Sequence, residues 1–298
     1  MVFEWGPNLY IEPTDVCNLH CPACRRSQGT TFMQLDTFKK ILGKIQSTKV
    51  NQIAFFWRGE PTLSPFLPAM VEYAKRRGCR TFTSTNMATP NLHDLQYVSK
   101  LLSSLDRLEV CVDGYDQTTI QKYRVGTNWE TLVKNLETIS RVPTKCNKEM
   151  RVLMFKHNSG YKPYFRGLAK KYNMTKITFG LPIIEGKMRL TTKEADEWLS
   201  SEEKYQRYEK QGEFWVHKTK KTCVMLPVIT VNGDVSICCY DRYLEHPIGN
   251  LLTDRMEQII DNLDRIKPQM MRRQLNICNE YCFLPRKGLT INFREMMH

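Results

Sequence analysis

Three cysteines fall within eight residues, Cys17, Cys21 and Cys24, in the run IEPTDVCNLHCPACRRS. A loop with thiols at this density has to wrap around a metal centre for them to converge. Short spacings of this kind are how thiolates commonly hold iron–sulfur clusters. Three ligands on a four-iron cubane leave one iron with an open position, which a catalytic centre needs and a structural one does not. A structural zinc site is the alternative reading. Its ligands usually come as C-x2-C pairs, so the x3 spacing and the missing fourth ligand suit it less.

Of the eleven cysteines, Cys223, Cys238, Cys239, Cys278 and Cys282 form a second set toward the C-terminus. The opening MVFEWGPNLYIEP carries no signal-peptide pattern, and no run approaches the ~18 apolar residues of a membrane span. A cytoplasmic location is therefore expected, where clustered thiols are metal ligands more often than disulfides. Cys79, Cys111 and Cys146 read as buried thiols. His20 and the five tryptophans read as packing residues. With 44 Lys+Arg against 31 Asp+Glu, the net charge of +13 favours anionic partners. The basic residues are dispersed and have no accompanying aromatic RNA-binding signature, so nucleic acid is not the expected partner.

The first two-thirds of the chain alternate short strand-like runs with helical patterns, the signature of βα units on a parallel sheet. Strands are predicted at 9–12, 52–56, 80–84, 107–112, 151–155 and 176–179. Helices are predicted at 35–45, 65–77, 92–102, 129–139 and 164–172. Residues 191–211 read as one very polar helix. Residues 226–231 and 234–238 flank Asn232-Gly233 as a hairpin with a type I′ turn. Two helices are predicted at 254–263 and 268–275.

At this point the cysteine loop resembles the CxxxCxxC motif of the radical S-adenosylmethionine (SAM) superfamily, placed after the first strand as in that family. WRGEP at 57–61 is similar to the family's GGEP segment, with Arg58 in place of the first glycine. TSTNM at 83–87 resembles its Thr-Asn-Gly segment, with Met87 in place of glycine. EVCVDGYD at 109–116 followed by YRVG at 123–126 resembles the SxDG…R.G stretch of one branch. In the last third, Cys223-x9-Gly233-x4-Cys238, the IGN at 248–250 and Cys278-x3-Cys282 resemble the SPASM and twitch auxiliary-cluster modules.

The resemblance implies an α/β fold: a partial (β/α)6 TIM-like barrel over residues 1–190, then a small α+β auxiliary-cluster domain of twitch or SPASM type over 191–298. It implies SAM and two 4Fe–4S clusters. The catalytic cluster would lie on Cys17, Cys21 and Cys24. The auxiliary one would lie on Cys223, Cys278, Cys282 and Cys238, with Cys239 as the other candidate for the hairpin ligand. Gly59, Glu60, Pro61, Thr85, Asn86, Asp113 and Arg124 would bind the cofactor, Glu60 on the SAM ammonium and Arg124 on its carboxylate. Reductive cleavage of SAM then yields a 5′-deoxyadenosyl radical that takes a hydrogen atom from substrate.

The expected reaction is oxidation of an alcohol or sugar carbon in a small polar substrate, with anionic groups favoured by the charge, as in the aminocyclitol dehydrogenases. A flavodoxin- or ferredoxin-like protein would donate electrons. Radical epimerisation is the alternative, with Cys239 or Cys111 returning the hydrogen and Asp113 as a further catalytic candidate. Peptide modification is a third, for which no leader-binding domain is visible. A non-catalytic metal-containing nucleic-acid-binding protein is the remote option, leaving WRGEP and TSTN unexplained.

Overall fold

The computed structural model describes residues 8–22, 24, 29–45, 50–182, 189–206, 208–217, 226–272, 274–275 and 277. Six parallel strands follow one another across the sheet: β1 (Asn8–Ile11), β2 (Gln52–Ala54), β3 (Arg80–Thr85), β4 (Arg107–Cys111), β5 (Asn147–Leu153) and β6 (Lys176–Gly180). Between them run α1 (Leu35–Ile45), α2 (Leu67–Arg76), α3 (Leu95–Ser104), the short α4 (Gln117–Gln121) and α5 (Trp129–Arg141), with α6 (Lys162–Lys171) before β6. Helix α1 shows why these segments are helical. Phe38, Ile41, Leu42 and Ile45 recur on one buried stripe, with Asp36 in the first turn and Lys44 in the last. Asp94 and Asn128 cap α3 and α5 through their side chains.

Strand alternation separates two environments. Leu108 and Val110 of β4, and Met150 and Val152 of β5, point outward into the apolar core shared with the helices. Arg107, Glu109, Glu149 and Arg151 point the other way and pair with one another across the inner face. The sheet edges among the described residues are β6 and β12, so the barrel is partial.

The C-terminal strands lengthen this sheet. β10 (Val228–Ile229) lies parallel to β1, and β11 (Asp234–Ser236) and β12 (Pro247–Asn250) follow antiparallel, giving nine strands among the described residues. The β10–β11 turn is not type I′, because Asn232 keeps a negative φ and only Gly233 is left-handed, at +87°. The Thr230 hydroxyl accepts the Asn232 and Asp234 amides, and the Gly233 amide closes on the Thr230 carbonyl at 2.9 Å. This arrangement moves the positive φ to the end of a three-residue loop.

Two other sequence expectations are corrected. Residues 191–211 are not one helix: α7 (Thr192–Trp198) stops where Leu199 bridges to Phe155, and β8 (Tyr208–Gln211) follows. Together with β7 (Arg189–Thr191) and β9 (Phe214–His217), β8 forms a small sheet of order β7-β9-β8. Gly212, at φ +61°, turns β8 onto β9, and the strand hides Tyr208 completely, burial that a solvated helix would not give. The helices expected at 254–263 and 268–275 are one continuous helix, α8 (Met256–Met271), with Pro268 inside it. Pro268 and Asp264 are both exposed, so the carbonyl that loses its helical partner faces water.

Candidate active site

A cavity of about 260 Å³ opens at the C-terminal ends of β1–β5 and brings together Cys17, Cys21, Cys24, Gly59, Glu60 and Asn86 among its lining residues. The cysteine loop is tied down from three sides. The Glu60 amide donates to the Val16 carbonyl at 2.8 Å, the His20 amide to Val125 at 2.8 Å, and the Asn18 side chain to Ala88 at 2.7 Å. Gly59 is required by proximity, since a Cβ there would stand 2.1 Å from the Thr14 carbonyl oxygen. Among the described residues, no three His, Cys, Asp or Glu side chains converge as a cage for a single ion. The three thiols instead share the wall of one cavity, which suits a cluster that places each thiolate on a different iron.

Burial pushes the Cys21 thiol up, and the neighbouring Arg124 guanidinium pulls it back toward the thiolate that a ligand must be. Arg124 is held by Asp113, with Nε 2.7 Å from Oδ2. Asp113 is fully buried and also accepts the Leu153 amide at 2.6 Å. It is absent from the lining, and its partner Arg124 does line the cavity.

Glu60 is 4% exposed, and its carboxylate takes the Thr62 amide and hydroxyl on Oε1 and the Asn86 amide at 2.7 Å on Oε2. The carboxylate also lines the cavity, where it can face a cation bound there. Burial raises its pKa above the ordinary 4.5, against the pull of these hydrogen bonds. Glu60→Ala should therefore weaken SAM binding by about one to two decades, roughly 1.5–3 kcal/mol, with iron content intact. In the wild type, affinity should fall with decreasing pH through a midpoint above 4.5, because only the carboxylate pairs with an ammonium. Equilibrium titration of SAM checks both, and unchanged affinity in the variant would make WRGEP a turn only.

Thr85 hydrogen-bonds Thr62 at 3.2 Å and receives the Met87 amide at 3.1 Å. Met87 is left-handed, φ +64°, and fully buried, with its carbonyl held by the Asn135 side chain at 2.7 Å. The strain is about 1–3 kcal/mol. Deleting a buried Met side chain costs about 2–5 kcal/mol. Packing outweighs strain, so Met87→Gly should lower the denaturant midpoint even though glycine suits the backbone.

Arg58 stands over the Trp57 ring at 4.3 Å and forks onto Glu12, Nε to Oε1 at 3.0 Å and Nη2 to Oε2 at 2.9 Å. Glu12, fully buried, also accepts the Val231 amide from the C-terminal hairpin at 3.2 Å. Trp57 Nε1 donates to the Cys239 carbonyl at 2.8 Å, and Arg242 Nη1 donates to the Trp57 carbonyl at 2.7 Å. Arg58 thus bolts the Gly59-Glu60-Pro61 loop to the hairpin carrying Cys238 and Cys239. Sequence reading missed Glu12, Trp57 and Arg242 here. The arginine in place of glycine was the available signal.

Cys238 and Cys239 are half-buried, and Cys223, Cys278 and Cys282 lie outside the described residues. Cys111 lines the cavity, its Sγ 3.4 Å from the Ser84 hydroxyl. Burial pushes its thiol up to about 11, which keeps it protonated at neutral pH. The small sheet supplies a second apolar cluster, in which Trp198 and Trp215 pack with Tyr123 and Phe155 beside Cys21.

The radical SAM superfamily model matches residues 11–159, and the SPASM iron-sulfur cluster-binding domain model matches 225–292. The GTP 3',8-cyclase of Chlorobaculum tepidum is 26% identical over 169 residues, which is 55% of this chain and 50% of that protein. The chain spans about half the length of the curated cyclases it matches. BtrN in complex with AdoMet and 2-DOIA superposes with a TM-score of 0.53 at 15% identity, covering 93% of each chain. Streptococcus suis SuiB bound to S-adenosylmethionine gives 0.63 at 10% identity, over 97% of this chain and 78% of that one. At these identities the superpositions show the fold. SAM and two iron–sulfur clusters are the cofactors that the matched domains bring. The chain belongs to the radical SAM superfamily and carries a SPASM iron–sulfur cluster-binding domain in its C-terminal third.

Proposed function

We propose that this enzyme oxidises an alcohol or sugar carbon of a small polar substrate. The observation that carries this reading is the Trp57–Cys239 contact, which joins the auxiliary-cluster hairpin to the edge of the cavity. When bound, SAM and the clusters supply hydrogen-atom removal and a place for the second electron. Cys17, Cys21 and Cys24 would hold the catalytic cluster. Cys223, Cys278 and Cys282, with Cys238 or Cys239, would hold the auxiliary one. Glu60, Thr85 and Asn86 orient the cofactor, and Arg124, set by Asp113, favours the Cys21 thiolate. The polar lumen below accepts hydroxyl groups. The net charge of +13 suits an acidic electron carrier of the flavodoxin or ferredoxin kind.

The second reading, epimerisation, is favoured by Cys111, a protonated thiol in the cavity wall able to return a hydrogen atom. Mass spectrometry of an anaerobic turnover in deuterated water separates the two. Oxidation gives a product lighter by two hydrogens, and epimerisation one that gains a single deuteron, delivered by an exchanged thiol. Cys111→Ala should leave oxidised product forming if oxidation is right. Loss of all product with 5′-deoxyadenosine still made would transfer the assignment to epimerisation.

A further inference from the structure

Below the cysteine loop the lumen is stacked in layers of charged and polar side chains. The floor is Arg107, its guanidinium 4.1 Å over the Phe82 ring and its Nε 3.2 Å from Glu149. Above it lie Ser84, Glu109 and Arg151, from three adjacent strands, all lining the cavity. Glu109 Oε1 accepts the Ser84 hydroxyl at 3.1 Å, and its Oε2 lies 3.5 Å from Arg107 Nη2. Glu109 is therefore supported without Arg151.

Arg151 has five N–H donors. It uses one, from Nη1 to Glu109 Oε1, at a long 3.4 Å. Its remaining donors make no hydrogen bond among the described residues, although three-quarters of the side chain is covered. Gly180 leaves room for the fork, since a Cβ there would stand 3.3 Å from Arg151 Nε. A guanidinium packed this closely, with unused donors facing a cavity, is built to take a planar or tetrahedral oxyanion.

Resting on the proposed reading of a small polar substrate, we infer that Arg151, Glu109 and Ser84 form its recognition site. The substrate is a small hydroxylated molecule bearing one oxyanion, seated on the Arg151 fork, with a hydroxyl on Glu109. This arrangement would place carbon atoms of the substrate beside Cys111, one position farther along the lumen face of β4.

The test is calorimetric titration of the anaerobic holoenzyme, saturated with SAM, with glucose 6-phosphate, gluconate and uncharged glucose as probes. The first two distinguish a phosphate from a carboxylate. One of them should bind at least about tenfold more tightly than glucose, the increment of a charge-assisted fork. Arg151→Lys, which keeps the charge but loses the fork, should reduce that preference while iron content and SAM affinity stay as in the wild type. Should the lysine variant misfold, Glu109→Gln with Arg151→Gln removes the pair without leaving an unpaired charge, and it should bind all three probes equally. Wild-type protein that binds the charged probes no better than glucose overturns the inference. So does a lysine variant that loses SAM affinity, because Arg151 would then serve the cofactor's own carboxylate. Failure of the oxidation reading shows separately, in the product mass, whatever the probes do.

Discussion

Replacing Cys17, Cys21 and Cys24 together by Ala is expected to abolish SAM cleavage and remove about half the iron. Two separate thiol sets imply two clusters, about eight irons per monomer after anaerobic reconstitution. The triple change should leave about four. The barrel should survive the loss, because its core is the apolar layer between strands and helices and the cysteine loop hangs from it by backbone hydrogen bonds. Iron analysis with absorbance, quantification of 5′-deoxyadenosine and far-ultraviolet circular dichroism on one preparation check all three points. Zinc at stoichiometric level without iron absorbance in the wild type would contradict the assignment.

Arg58→Gly, which restores the residue usual in the family, should destabilise this protein by about 3–5 kcal/mol. The reason is Glu12, a fully buried carboxylate whose fork partner disappears. Removing one member of a buried pair leaves an uncompensated charge, whereas replacing both is often close to neutral. Glu12→Gln with Arg58→Gly should therefore recover most of the loss, since Gln keeps an acceptor for the Val231 amide. The same single change should loosen the hairpin and lower auxiliary iron before catalytic iron. Anaerobic denaturant titration of the two singles and the double gives the coupling directly. A single Arg58→Gly variant as stable as the wild type would mean that the fork contributes nothing.

The strand–helix alternation was legible because outward residues such as Leu108, Val110, Met150 and Val152 are apolar on a regular period. That the cysteine loop and the Gly-Glu-Pro turn share one cavity was legible because thiols at x3 and x2 spacing and such a turn each follow a predicted strand. The lumen was not. Arg107, Glu109, Glu149 and Arg151 look in sequence like the solvent face of a strand, and only the curvature of the sheet turns that face inward. Residues 191–211 failed for a related reason. Their charges suggested a solvated helix, while Trp198 and Tyr208, the residues that pack beside Cys21, are too widely spaced to set a period. Trp57 read as packing because its partners Cys239 and Arg242 lie far away in the chain, 182 and 185 residues respectively.

Radical SAM chemistry in this protein is tested by incubating the reconstituted, reduced protein with SAM under anaerobic conditions and quantifying 5′-deoxyadenosine and methionine by mass spectrometry. Both should form in equal amounts, dependent on reduced iron and absent from the protein lacking Cys17, Cys21 and Cys24. SAM recovered intact from iron-replete, reduced wild-type protein would contradict that chemistry.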